Sequence, residues 1–125
     1  MLIALFGEAE RGQFHVPYLC KSLEQLVALF GNPPKHSLGL SFATQTLLYQ
    51  RELLFFRVET EGFSTADYLQ GLQFLKDREK IKNLTALCLP GIGDSLILEE
   101  TTTVCKIHKS IIVMSQQDLY DFLTQ

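Results

Sequence analysis

A chain of 125 residues is long enough for one domain with a sizeable core. Its 46% hydrophobic and 20% charged content is that of a globular protein and not a disordered one, and a net charge of −3 argues against a general nucleic-acid binder, which needs a basic face. Three cysteines, odd in number and widely separated, do not make a disulfide framework. Cys20, Cys88 and Cys105 sit among apolar neighbours and are expected to be buried thiols.

The chain opens with an apolar run at residues 2–6 that ends at Gly7, the pattern of a strand buried on both faces. That run lacks the length and basic flank of a signal peptide, and no stretch reaches the roughly 20 apolar residues that span a bilayer. The expected setting is cytoplasmic, with no membrane partner. Residues 7–12 form a polar loop with a glycine at each end. A helix is predicted from about Val16 to Phe30, with Pro17 in its first turn and Leu19, Leu23, Leu26, Val27 and Phe30 as its apolar stripe. Gly31, Asn32, Pro33 and Pro34 stop it.

Residues 38–42 and 53–58 both read as strands. Residues 43–51 between them are either a short helix or one arm of a hairpin turning at Gln50-Arg51, and periodicity does not separate the two. The next helix is predicted over residues 65–80. Ser64 is its N-cap, Asp67 follows three positions on, and Tyr68, Leu69, Leu72 and Leu75 share a face. The alternating charges of residues 76–82 read as a solvated helix face. Residues 84–89 form another apolar strand, closed by Pro90-Gly91-Ile92-Gly93-Asp94. Residues 95–108 contain the β-branched run Thr101-Thr102-Thr103-Val104, yet Ile97, Thr101, Val104 and His108 lie on one helical face. Helix is preferred, because parallel strands need a crossover of this length. Residues 110–114 form the last strand, and Ser115 caps a final helix carrying Leu119, Tyr120, Phe122 and Leu123.

This alternation implies a single α/β domain over residues 1–125, a three-layer Rossmann-like arrangement of about five mostly parallel strands with helices on both faces. Phe55 and Phe56 point to opposite sides of one strand, so both faces should be covered; an uncovered one would be a natural subunit interface and would make a homo-oligomer.

In such sheets, ligands bind outside the carboxyl ends of the strands. That rule selects residues 7–12, 59–62, 90–95 and 115–118. The ligand-binding candidates are Gly7, Glu8 and Arg11 in the first loop and Gly91, Gly93 and Ser95 in the third, where glycine lets backbone approach a ligand. A helix starting near Ser95 would aim unpaired N–H groups at an anion, unless Asp94 or Ser95 caps it internally.

Asp94-Ser95, Glu100 and Lys109-Ser110-Ile111-Ile112 resemble, at matching spacing, the nucleoside 2-deoxyribosyltransferase pattern. Pro90-Gly91-Ile92-Gly93 with Glu99-Glu100 is similar to the phosphate loop of the lysine-decarboxylase-like phosphoribohydrolases, although Ile92 and Asp94 replace that loop's second glycine and its threonine. Together these resemblances cover residues 90–112. They imply a nucleotide-like ligand, with Glu100 as the catalytic nucleophile at an anomeric carbon and Asp94 holding base or sugar. The reading that stands beside them makes Glu99 and Glu100 ordinary acids near a helix start.

His15, His36 and His108 are far apart, with no metal-ligand spacing, and no cofactor motif is present: there is neither a Walker loop, a complete dinucleotide fingerprint nor Gly-x-Ser-x-Gly. His15, beside Glu8, Glu10 and Arg11, is an acid–base candidate or a surface histidine. Glu59 and Glu61 share one loop, a common surface-turn pattern. Two functions stay open: an enzyme or sensor holding a small polar metabolite at the strand ends, or a non-catalytic scaffold or protein-interaction domain on an enzyme-like fold.

Overall fold

The computed structural model describes residues 1–125. Ten elements follow one another: β1 (Leu2–Gly7), β2 (Pro17–Cys20), α1 (Leu23–Phe30), α2 (Gly39–Leu48), β3 (Glu52–Arg57), α3 (Thr65–Leu75), β4 (Leu84–Cys88), α4 (Ser95–His108), β5 (Ile111–Val113) and α5 (Gln116–Leu123). The sheet has the order β2-β3-β1-β4-β5. β1 pairs in parallel with β3 and β4, and β4 with β5, while β2 runs antiparallel along β3. The expected α/β class, with a mostly parallel five-stranded sheet between two helical layers, is the observed one.

Two apolar cores sandwich that sheet. On one face Ile3, Leu5, Leu53, Phe55 and Cys88 meet Leu26 and Phe30 of α1, Leu40, Ala43 and Leu47 of α2, and Leu119 and Leu123 of α5. On the other, Ala4, Phe6, Leu54, Phe56 and Leu87 meet Tyr68, Leu72 and Leu75 of α3 and Ile97 and Val104 of α4. Phe55 and Phe56 fall in opposite cores, as their alternation requires, and both are buried. Phe6 stacks between Phe56 and Tyr68 at centroid distances of 4.6 and 5.3 Å. Gly71 lets α3 sit that close, since a Cβ there would lie 2.4 Å from the Phe6 ring.

Three sequence expectations give way. The helix expected from Val16 begins only at Leu23, because Pro17–Cys20 is a strand paired with residues 53–56 of β3. Tyr18 and Cys20 pack into the first core, and Ser22 caps the shortened helix by accepting from the Gln25 N–H. The strand expected at residues 38–42 is instead the first turn of α2, whose Leu40, Ala43 and Leu47 turn one face to the core. This also resolves residues 43–51 as helix, up to Leu48. The helix expected to reach residue 80 stops at Leu75. Just beyond, the Asp77 carboxylate accepts from the Glu79 and Lys80 N–H groups and draws the chain into a turn, so the charges of residues 76–82 line a loop.

The remaining elements agree, although Ser64, at the N-cap position of α3, makes no side-chain cap bond: its hydroxyl accepts from the Thr60 N–H and donates to the Thr60 carbonyl. α4 occupies the ambiguous segment, where Thr101, Thr102 and Thr103 each donate a hydroxyl hydrogen bond to the carbonyl four residues back. Ser115 accepts from the Asp118 N–H at the start of α5. No helix is long and apolar enough to cross a membrane.

Candidate functional site

Because β1, β3, β4 and β5 run the same way, their carboxyl ends gather the loops selected by the strand-end rule along one edge. Gly7 and Gly39 touch there: a Cβ on either would come within 2.6 Å of the other's Cα. The start of α2 is thereby pressed against the end of β1, where doubly wound folds hold an anion.

That position is filled from within. The Glu61 carboxylate accepts from the N–H groups of Glu8 (3.0 Å), Gly39 (2.7 Å) and Leu38 (2.8 Å). The Glu61 N–H in turn donates to Glu8 at 2.9 Å, so the two loops exchange backbone-to-carboxylate bonds. α2 has no side-chain cap of its own, and a glutamate 22 residues further along supplies it. Beside it the Gly62 N–H donates to the buried Tyr68 hydroxyl at 2.8 Å. Burial drives the Tyr68 pKa well above its ordinary value; the hydrogen bond from Gly62 opposes this, and the Glu61, Glu8 and Asp67 carboxylates add to it.

The other candidates of the first loop are also engaged in structure. Arg11 donates to the carbonyls of Val27 (2.9 Å) and Ala28 (3.2 Å), satisfying the last turn of α1. Glu10 accepts from the Asn32 N–H just past the same helix. In the third loop Asp94 accepts from the N–H groups of Leu96 (2.8 Å) and Ile97 (3.1 Å), the capping role weighed for it, and Ser95 is the exposed first residue of α4. A shallow depression of about 440 Å³ remains, lined by Gly62, Phe63, Gly91, Gly93 and Asp94. Phe63 is 77% exposed over it, and Gly93 faces open space.

Glu100 points elsewhere. Its carboxylate lies 2.6 Å from the Lys76 ammonium and ties α4 to the end of α3. His15, which adopts a left-handed backbone at φ 65°, places Nε2 2.5 Å from Asp67, whose second oxygen accepts from the Glu59 N–H. The structure thus unites Glu8 with Glu61 and Gly62 with Gly91, and sets His15 on α3. Sequence reasoning passed over Glu61 as a surface-turn acid. Its role depends on two loops brought together only by the sheet.

The edge is electronegative, with Glu8, Glu59, Glu61, Asp67, Asp94 and Asp118 against Arg11 and Arg57. The Arg57 guanidinium stacks 4.3 Å above the Phe14 ring and donates to the Gly12 carbonyl. No three His, Cys, Asp or Glu side chains cluster to hold a metal ion. The three cysteines are free and buried. Burial pushes the Cys20 thiol up to about 11 and raises Cys88 and Cys105 as well, so none offers a thiolate nucleophile at neutral pH. No family model, curated protein or solved structure matches this chain.

Proposed function

We propose that this chain is a non-catalytic, partner-binding α/β domain that keeps an enzyme-like sheet while closing its ligand crevice with its own side chains. The observation that carries this reading is the Glu61 carboxylate on the backbone amides of Glu8, Leu38 and Gly39. An incoming phosphate would have to displace a tethered carboxylate from those same donors and do so in an acidic field. Asp94 and Ser115 close the starts of α4 and α5 in the same way. The Lys76 ion pair, in turn, engages the carboxylate that a transfer reaction would need as nucleophile.

The test is a panel of nucleosides, nucleotides and inorganic phosphate followed by thermal shift and by backbone amide spectra. At millimolar concentrations the melting temperature and the Leu38, Gly39, Gly91 and Gly93 amides should stay put. A saturable rise in melting temperature with movement of those amides would return the domain to the metabolite-binding class. The glycine-lined depression under Phe63 would then be the place to look.

A further inference from the structure

Five strands about 4.8 Å apart make a sheet roughly 24 Å wide, whereas a packed helix covers about 10 Å of it. Three helices, α1, α2 and α5, cover one face of this sheet, and only α3 and α4 cover the other. The shortfall falls at β2, the strand farthest from both. There Pro17 and Leu19 pair with Phe56 and Leu54 and share their side of the sheet, yet Leu19 remains 45% exposed. A groove of about 390 Å³ runs between this strip and α3, with Leu2, Leu54, Phe74 and Ile81 along it. Lys80 and Lys82 stand on its rim, and Glu52, its one acid, lies 3.7 Å from Lys21.

We infer that this groove takes an amphipathic helix from a partner protein, with an apolar stripe laid over Leu19 and Leu54 and acidic residues set against Lys80 and Lys82. The inference rests on the partner-binding reading above and adds the partner's chemistry and its place. Lys82 makes no ion pair within the chain, and Lys80 makes a 4.0 Å contact with Asp77 and lies 5.9 Å from the centre of the Phe74 ring, so neither ammonium group is held by a close acid. Strand addition to β2 is disfavoured, because that edge is four residues long and headed by a proline that lacks an N–H. A second copy fits poorly too: a two-fold contact here would bring two lysine-bearing rims together with one acid apiece.

The experiment selects binders to the intact protein from a display library of 18-residue helices. Their leucine stripe is constant, and their polar positions are drawn from Glu, Lys, Gln and Ser. Selected helices should be rich in Glu beside the stripe. They should lose about tenfold or more in affinity for the Lys80→Glu/Lys82→Glu double variant and for Leu19→Asp, and weaken as salt rises. Lys80 and Lys82 are exposed and Leu19 is nearly half so, and the variants should keep the parent's melting behaviour, which is checked first. Failure to enrich any helix, enrichment of neutral or basic ones, or undiminished binding to Leu19→Asp would overturn the inference. A dimer of the parent chain that Leu19→Asp dissociates would overturn it in favour of a second copy. Nucleotide binding at the opposite edge, by contrast, would sink the non-catalytic reading and leave these outcomes unchanged.

Discussion

Replacing Glu61 with Ala should be among the costliest single changes outside the core. The substitution removes one carboxylate but orphans three backbone donors, those of Glu8, Leu38 and Gly39. Loss of a helix N-cap costs about 1–2 kcal/mol, and the extra bond to Glu8 adds about 1 kcal/mol. Water can reach this half-buried position, so no further penalty for the orphaned donors is added and the sum stays at about 2–3 kcal/mol. For a domain of this size about 4 °C of melting temperature accompanies each kcal/mol, so a fall of about 8–12 °C is expected. Glu61→Gln should cost less, about 1–2 kcal/mol, because its amide oxygen still accepts while its NH2 group meets a donor instead of supplying an acceptor. Urea titration should show a lower midpoint at unchanged slope. A second readout is specific to the cap. Added acetate should partly restore the melting temperature of Glu61→Ala and leave the parent chain unaffected, because only the variant exposes an empty anion seat. A loss below about 0.5 kcal/mol for Glu61→Ala, or equal acetate effects on both proteins, would refute the assignment of Glu61 as the plug.

Gly62→Ala should destabilise by about 2 kcal/mol or more, because its φ of 85° disfavours a side chain and the new Cβ would lie 2.5 Å from the Gly91 carbonyl oxygen. Gly93→Ala, which meets nothing within 4 Å, should be neutral within about 0.5 kcal/mol, and urea midpoints compare the two. The native thiols should resist a disulfide exchange reagent at neutral pH and all three should react in denaturant. The stability held by the protonated Cys20 should be intact below the ordinary thiol value of 9.0 and decline as pH rises through about 11, followed by urea titration across that window. Glu100→Gln should cost less than about 1 kcal/mol in the same titration, since its pair with Lys76 is about one-third exposed.

What the amino-acid order determined by itself was the class of fold and most of its elements. Apolar runs at residues 2–6, 53–58 and 84–89, broken only by Arg57 and Thr85, fit strands covered on both faces, and helical spacing around Tyr68, Ile97 and Leu119 supplies the covers. The local cap at Ser115 was legible, and the one at the start of α4 was narrowed to Asp94 or Ser95, because an Asx or Ser oxygen reaches amides two or three residues away whatever the rest of the chain does. Tertiary structure alone decided residues 17–20 and 38–42. Each is short enough to satisfy either period, and its neighbour in space breaks the tie: β3 draws Tyr18 and Cys20 into a strand, and the Glu61 carboxylate starts a helix at Gly39. The same holds for the edge where a ligand was expected. Glycines and carboxylates in its loops could be read from the chain, but whether those groups face solvent or one another depends on contacts spanning up to 53 residues. Those contacts give the Glu8, Leu38 and Gly39 amides to a carboxylate of the chain itself.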